Sequence, residues 1–199
     1  MLFSAKAANA TSLKEVIVTA NKVRCTFHLQ KTAEKLAKHM GEGSSQVQAW
    51  NEKVQPDLIR CAHMFFYAYL FENAYDVLDR ELLAAPATKQ VVEQLVSLYG
   101  LFEILEDLTS YLQTGYFTAK DIDGLRDTMR TLLAETRKNA IVLVDAFGHE
   151  DHELASVLGC YDGNVYERLL DIVRKNPLNK VTVPRGYNEY MRPFKSAKL

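Results

Sequence analysis

Residues 88–113 read TKQVVEQLVSLYGLFEILEDLTSYLQ, and their pattern indicates the fold class. Its apolar side chains recur at three- and four-residue spacing: Val91, Val92, Leu95, Leu98, Phe102, Leu105, Leu108 and Leu112. Because an α-helix has about 3.6 residues per turn, this spacing places the side chains on one face of a helix. The stretch therefore predicts an amphipathic helix that buries one apolar stripe.

The same periodicity extends over most of the chain, and glycines and prolines punctuate it. The predicted helices cover residues 12–40, 56–83, 88–113, 118–147, 151–158 and 164–176, with a short piece around Trp50. Thr118 is the predicted cap of the fourth helix, since a threonine hydroxyl can accept a bond from the first free amides. No alternating strand pattern of useful length occurs. We expect an all-α fold, an antiparallel helical bundle of four long helices plus short C-terminal helices.

Composition excludes several classes of protein. With 199 residues and 48% hydrophobic side chains, the chain can bury a core. Its cysteines, Cys25, Cys61 and Cys160, are odd in number and widely spaced, which indicates a reducing compartment without a disulfide framework. The longest apolar run, 61–71, is much shorter than a membrane span, and no basic aromatic face suggests nucleic-acid binding. We expect neither membrane nor nucleic acid as a partner.

Motifs with recognised chemistry are missing from the sequence. It contains no glycine-rich phosphate loop, no Gly-x-Ser-x-Gly elbow and no Glu-x-x-His unit. The run His149-Glu150-Asp151-His152 places two imidazoles and two carboxylates together, so a metal site is an alternative there. Polar residues at the start of a helix are the more common explanation. We therefore assign no catalytic, cofactor-binding or metal-binding residue.

Residues 158–169, LGCYDGNVYERL, form the unusual local feature. Gly159 and Gly163 bracket a turn that leads directly into a helix. Asn164 and Glu167 have the spacing of a capping box, in which each side chain bonds the other's backbone amide. The pattern predicts a rigid helix corner that carries Tyr161, Asp162 and Tyr166.

The chain ends in Ala197-Lys198-Leu199, a small, a basic and a leucine residue. Peroxisomal import receptors recognise such a C-terminal tripeptide, which predicts an import receptor as a partner and the peroxisomal matrix as the location. The stretch 174–199 carries seven lysines and arginines against Glu189 alone. Pro193 disfavours a continuing helix, so we expect residues 185–199 to be an extended basic tail.

Residues 143–147 (LVDAF), 157–169 (VLGCYDGNVYERL) and 176–180 (NPLNK) closely resemble the C-terminal domain of peroxisomal acyl-CoA oxidases. The terminal tripeptide agrees with this resemblance. It extends from about Asn21 to the end of the chain and is strongest from Ile141 onward. The expected organisation is a helix lead-in over 1–20, the oxidase C-terminal helical domain over 21–184 and the tail over 185–199.

The resemblance implies an FAD-dependent enzyme that converts acyl-CoA and O₂ to trans-2-enoyl-CoA and H₂O₂, the first step of peroxisomal fatty acid β-oxidation. Family members are dimers, and their other domains supply the flavin site and the base. The chain alone is expected to bind no FAD and to be inactive. The corner residues then stabilise the packing of domains or subunits: Gly159, Tyr161, Asp162, Gly163, Asn164, Tyr166 and Glu167.

An alternative from another class is a free-standing helical interaction module. Such a module uses the oxidase fold to bind a full-length oxidase or another peroxisomal protein. Whether the chain is an enzyme in its own right stays open at this point, because the resemblance covers only a C-terminal domain.

Overall fold

A computed structural model describes residues 12–184 and 186–196. Within these two ranges every regular element is helical, which confirms the predicted all-α class. The α-helices are α1 (Leu13–Gly41), α2 (Gln46–Gln48), α3 (Gln55–Glu81), α4 (Pro86–Glu106), α5 (Leu108–Gln113), α6 (Asp121–Arg137), α7 (Ala140–Asp145), α8 (Asp151–Leu154), α9 (Val165–Lys175) and α10 (Arg192–Ser196). Short π-helices cover Ala49–Lys53 and Tyr187–Met191, and 3₁₀-helices cover Val157–Gly159 and Pro177–Lys180.

The chain divides into two compact units, Met1–Ala140 and Ile141–Leu199. The division between them falls inside the predicted domain 21–184. The predicted boundaries after residues 20 and 184 stay predictions. Below, the first unit means the described residues 12–140, and the second unit means 141–184 and 186–196.

In the first unit, α1 and α3 lie antiparallel along each other. Three ion pairs join the two helices: Lys14–Asp79, Lys22–Glu72 and Lys35–Asp57. Residue numbers fall along α3 as they rise along α1, which fixes the antiparallel direction. These pairs are solvent-exposed and contribute little to stability, so the packing beneath them holds the helices together.

Helices α3 and α4 are also antiparallel. The Tyr75 hydroxyl of α3 lies 2.9 Å from the Ser97 hydroxyl of α4. Further along, Arg60 near the start of α3 reaches Asp107, just after α4, at 3.4 Å. Helix α6 packs against α4, while its direction within a four-helix bundle stays a prediction.

The core of the first unit lies between α1, α3, α4, α5, α6 and the segment that joins α5 to α6. At Gly100 the backbone of α4 approaches α1 so closely that an added Cβ would lie 2.6 Å from Ile17 Cγ2. The absence of a side chain therefore permits this helix contact. The core cluster consists of Val16, Ile17, Ala20, Phe71, Leu101, Ile104, Tyr111, Tyr116, Phe117 and Leu125.

Two predicted long helices are interrupted. The helix predicted over 88–113 breaks at Asp107, whose φ of −114° and ψ of 42° are not helical. There the Asp107 carboxylate accepts a bond from Ser110 Oγ at 2.7 Å, and this local bond competes with the helical backbone. The helix predicted over 118–147 breaks between Arg137 and Ala140.

The predicted cap at Thr118 is wrong. Helix α6 begins at Asp121, and the side chain of its N-cap residue makes no capping bond. Instead Thr118 donates both its backbone N–H (2.7 Å) and its hydroxyl (2.8 Å) to Asp121 Oδ2. A carboxylate is the stronger acceptor, so the expected roles of the two residues are reversed.

The second unit also departs from prediction. Helix α8 stops at Leu154, before the predicted end at 158, because Ala155 takes a left-handed conformation with φ of 49°. The extended tail is wrong for residues 187–196, which are helical. Pro193 is the second residue of α10, which follows the π-helix directly, so this proline does not end the helical stretch.

None of the second-unit residues whose side chains are described is buried. The first unit, in contrast, buries seventeen hydrophobic residues. No helix within the described ranges is long and apolar enough to cross a bilayer.

Candidate functional site

Asp162 is the centre of the corner that the sequence singles out. Its Oδ1 accepts the backbone N–H of Asn164 at 3.0 Å, and its Oδ2 accepts Arg168 Nη2 at 2.9 Å. Asp151 accepts the backbone N–H of Tyr161 at 3.0 Å and lies 3.7 Å from the same guanidinium. Arg168 therefore joins two carboxylates and fixes the chain on both sides of the turn.

The two glycines of the corner have different roles. Gly163 has a φ of +67°, a left-handed conformation that side chains disfavour. At Gly159 an added Cβ would lie 3.0 Å from Leu154 Cδ1, so this glycine permits close approach to α8.

The predicted capping box of Asn164 and Glu167 is wrong. Asn164 precedes α9 as its N-cap, but its side chain makes no capping bond. With φ of −84° and ψ of 59°, its backbone is not in the extended conformation that directs a cap side chain toward the helix. The bond to Asp162 replaces the box.

The electrostatics of the corner keep Asp162 ionised. The N–H of Asn164 and then the guanidinium of Arg168 hold the pKa of this carboxyl below its usual value. A general acid or base at neutral pH needs the opposite shift in a carboxyl pKa. The rings of Tyr161 and Tyr166 are 85% and 79% exposed. The corner is thus a structural turn that presents two aromatic rings to a neighbour or to solvent.

The two histidines of the run His149–His152 face separate glutamates at the surface. His149 Nδ1 lies 3.8 Å from Glu153, and His152 Nδ1 lies 3.2 Å from Glu150. Within residues 12–184 and 186–196, no group of three or more His, Cys, Asp or Glu side chains is arranged to hold a metal ion. The metal-site alternative gains no support.

A buried polar cluster in the first unit was not predicted from the sequence. The Arg24 guanidinium is 3% exposed and lies 4.2 Å from the centroid of the Tyr111 ring. It also faces Asp107 Oδ2 at 3.5 Å. Tyr111 donates its hydroxyl to Asn21 Oδ1 at 2.9 Å. The cluster attaches α1 to the α4–α5 junction. Asn21 and Arg24 one turn apart within an apolar face were the available signal.

A charged groove of about 530 Å³ lies beside the C-terminal half of α1. Its lining includes Lys31, Lys35 and Lys38 from α1 and Arg60 from α3. The spacing of the three lysines, four and three residues apart, could have predicted one basic face of a helix. The predicted targeting residues Ala197, Lys198 and Leu199 lie outside the described residues.

Comparison with known proteins gives a consistent result. The sequence profile of the family described as acyl-CoA oxidase matches residues 14–196. Peroxisomal acyl-coenzyme A oxidase 2 of Rattus norvegicus is 35% identical over 193 residues, which are 96% of this chain and 28% of that protein.

Solved structures agree with the sequence match. Acyl-CoA oxidase-1 of Caenorhabditis elegans in an apo form superposes with a TM-score of 0.79 and 28% identity, over 94% of this chain and 29% of that one. Acyl-CoA oxidase-2 of the same organism, bound with FAD, ascaroside-CoA and ATP, has a TM-score of 0.79 and 30% identity, over 96% of this chain and 28% of that one.

The chain thus spans somewhat more than a quarter of the length of these relatives. Several curated relatives are named peroxisomal, in agreement with the location that the terminal tripeptide predicts. The profile match covers nearly the whole chain, and the chain belongs to the acyl-CoA oxidase family.

Proposed function

We propose that this chain acts as the C-terminal helical domain of a peroxisomal FAD-dependent acyl-CoA oxidase, which converts acyl-CoA and O₂ to trans-2-enoyl-CoA and H₂O₂. The observation that carries the proposal is the family match over residues 14–196 of a chain that covers 28% of a relative. Its contribution is packing against other parts of the enzyme, as a domain or at a subunit interface. By itself it is inactive.

The side chains described here do not fit FAD. Oxidation of an acyl-CoA requires the flavin, a base and the thioester within contact distance of one another. At the corner, Asp151 and Asp162 are both paired with Arg168. The grooves at Lys31, Tyr67 and Tyr69 are open surface depressions of about 530, 320 and 310 Å³. We assign the flavin and the base to the rest of the oxidase.

Exposed apolar side chains supply the packing surface. In α7 and just after it, Ile141, Val142, Val144 and Phe147 are 69–77% exposed. In α9, Leu169, Leu170, Ile172 and Val173 are 44–53% exposed. Exposed apolar surface concentrated in this way is typical of an interaction site. The Tyr161 and Tyr166 rings, held by the corner, extend the same unit's contact area.

The direct test uses the chain alone and with a truncated relative. Purified by itself, the chain should show no flavin absorbance and release no H₂O₂ from acyl-CoA. Co-expressed with the rat acyl-CoA oxidase 2 lacking the quarter that this chain matches, it should co-purify and restore H₂O₂ release. Flavin and turnover in the lone chain would contradict the inactive assignment. Failure to associate would contradict the packing role.

A matched pair of variants locates the surface. The double variant Leu169→Asp and Ile172→Asp places charge on the apolar face of α9 and should abolish co-purification. Arg174→Gln changes an exposed residue of the same helix and should leave it intact. Equal behaviour of the two variants would show that α9 does not form the contact.

Import is tested separately. A fluorescent protein carrying this chain at its C-terminus should accumulate in peroxisomes, and the same fusion without Ala197–Leu199 should stay outside them. Peroxisomal accumulation of both fusions would show that the tripeptide is not the signal that the import receptor uses.

A second candidate is a free-standing interaction module that binds a full-length oxidase. The observation that favours it is the first unit's own core, which allows that part to fold without the rest of an oxidase. Co-purification with the full-length rat relative, and not only with its truncated form, would support this candidate.

A further inference from the structure

The basic groove beside α1 is lined by residues other than the exposed apolar side chains of α7 and α9. Lys31, Lys35 and Lys38 line it from successive turns of one helix, and Arg60 lines it from α3. Glu34 and Asp57 also contribute to the lining, and His28 lies at its inner side, 9% exposed. The lining therefore holds four permanent cations and two carboxylates, and Arg60 also pairs with Asp107 at 3.4 Å, outside the lining.

Two of these cations are weakly engaged. Among residues 12–184 and 186–196, no carboxylate lies within ion-pair distance of Lys31. Lys38 faces Glu42 at 3.8 Å, near the limit of an ion pair. Lys35, in contrast, bonds Asp57 at 2.8 Å. Lys31 Nζ instead lies 4.5 Å from the centroid of the Phe27 ring. These two ammonium groups, which have no close carboxylate, are those an entering anion would meet.

The inner wall of the groove carries no positive charge at neutral pH. Burial is the main cause that lowers the pKa of His28, whose Nε2 lies 3.4 Å from the Ser110 carbonyl oxygen. Thr32 beside it donates its hydroxyl to the His28 carbonyl oxygen at 2.8 Å. This wall is polar and neutral, which suits the uncharged part of a ligand.

We propose that this groove binds a small phosphate-bearing anion, with Lys31 and Lys38 as its main contacts. Its volume of about 530 Å³ leaves room for an anion of this size. Ammonium and guanidinium groups form short, strong bonds to phosphate oxygens. The proposal does not depend on oxidase activity.

The test measures binding to the purified chain by calorimetry, with tripolyphosphate and a nucleoside diphosphate as separate probes. Tripolyphosphate alone binding would assign the site to free polyphosphate. Tighter binding of the nucleotide would assign it to a nucleotide-linked phosphate. Both affinities should fall as NaCl is added, since exposed charges are screened. Absence of binding by both probes at low salt would overturn the proposal.

The variant pair fixes the location. The double variant Lys31→Gln and Lys38→Gln should weaken binding by about tenfold or more, the usual loss when hydrogen bonds to charged groups are removed. The double variant Lys53→Gln and Lys120→Gln removes the same charge from exposed positions outside the groove and should change affinity by less than about twofold. Equal losses of affinity in the two double variants would show that binding depends only on net charge, which would overturn the proposed location.

Discussion

The two units of this chain differ in what they bury. The first unit packs Phe71, Tyr111 and Phe117 to 1% exposure or less, and it buries a charged side chain, Arg24, with partners around it. The second unit holds its turn with ion pairs such as Asp162–Arg168, and none of its described side chains is buried.

This difference shows that an amphipathic helix buries its apolar face only where another surface covers it. Helix α9 has a clear apolar face with Leu169 and Ile172, yet these side chains stay about half exposed. Helix α1 has a less regular pattern, but α3 and α4 cover it. Packing partners therefore decide whether an apolar face is buried. We propose that the partner of the second unit is the rest of the oxidase.

The largest expected effect contrasts two phenylalanines. Phe71→Ala empties a site in the first unit's core and should lower the free energy of unfolding by about 3–5 kcal/mol. Phe147→Ala removes a ring that is 77% exposed and should change it by less than about 0.5 kcal/mol. Urea unfolding of the isolated chain measures both. A comparable loss of unfolding free energy in Phe147→Ala would show that the second unit buries this ring in a core.

Glycines sharpen the same contrast within the first unit. Gly100→Ala forces a methyl group against Ile17 and should lower the free energy of unfolding by about 1–3 kcal/mol. Gly41→Ala, at the open end of α1, meets no atom within 4 Å and should raise it by about 0.5 kcal/mol. Thermal unfolding of the two variants checks the pair. An unchanged free energy of unfolding in Gly100→Ala would show that α1 and α4 can shift to accommodate the added methyl group.

Alkaline pH tests the core at Tyr75. Burial raises the pKa of Tyr75 from 10.0 to about 12, against the opposing effect of the bond to Ser97. The unfolded chain loses this proton near pH 10, while the folded chain retains it, so stability is complete below pH 10 and falls as pH rises toward 12. Tyr75→Phe should make this decline shallower in urea titrations. An unchanged slope would mean that Tyr75 ionises normally.

The smallest expected effect lies in the second unit. The pKa of Asp162 is held below its usual 3.8, so its contribution is present above that pH and is lost as the pH falls through the lowered value. Asp162→Asn should speed amide exchange at Asn164 and leave the unfolding midpoint of the first unit unchanged. Asp171→Asn, on an exposed face of α9, is the control. A shifted midpoint in Asp162→Asn alone would couple the corner to the core.

Sequence periodicity predicted the helices because apolar spacing reports directly on helical geometry. The face predicted for residues 88–113 is wrong, because α4 buries Ser97, Gly100, Leu101 and Ile104, whereas Phe102 is 45% exposed. Periodicity missed the break at Asp107, because that break depends on Ser110 and on arginines distant in sequence. It located the corner at 158–169 from its glycines but assigned the cap to the wrong pair, since Asp162 competes for the Asn164 amide. The groove needed two helices in register, which no single stretch of sequence contains.

The most direct measurement is hydrogen exchange of the backbone amides of α3 and α9, in the chain alone and in complex with the truncated rat oxidase. Helix α3 should be protected in both samples, whereas α9 should exchange rapidly in the chain alone and become protected in the complex. Equally strong protection of α9 in the two samples would contradict this prediction, because the second unit would then be stable without the rest of the enzyme. Equally rapid exchange would contradict the packing role of α9.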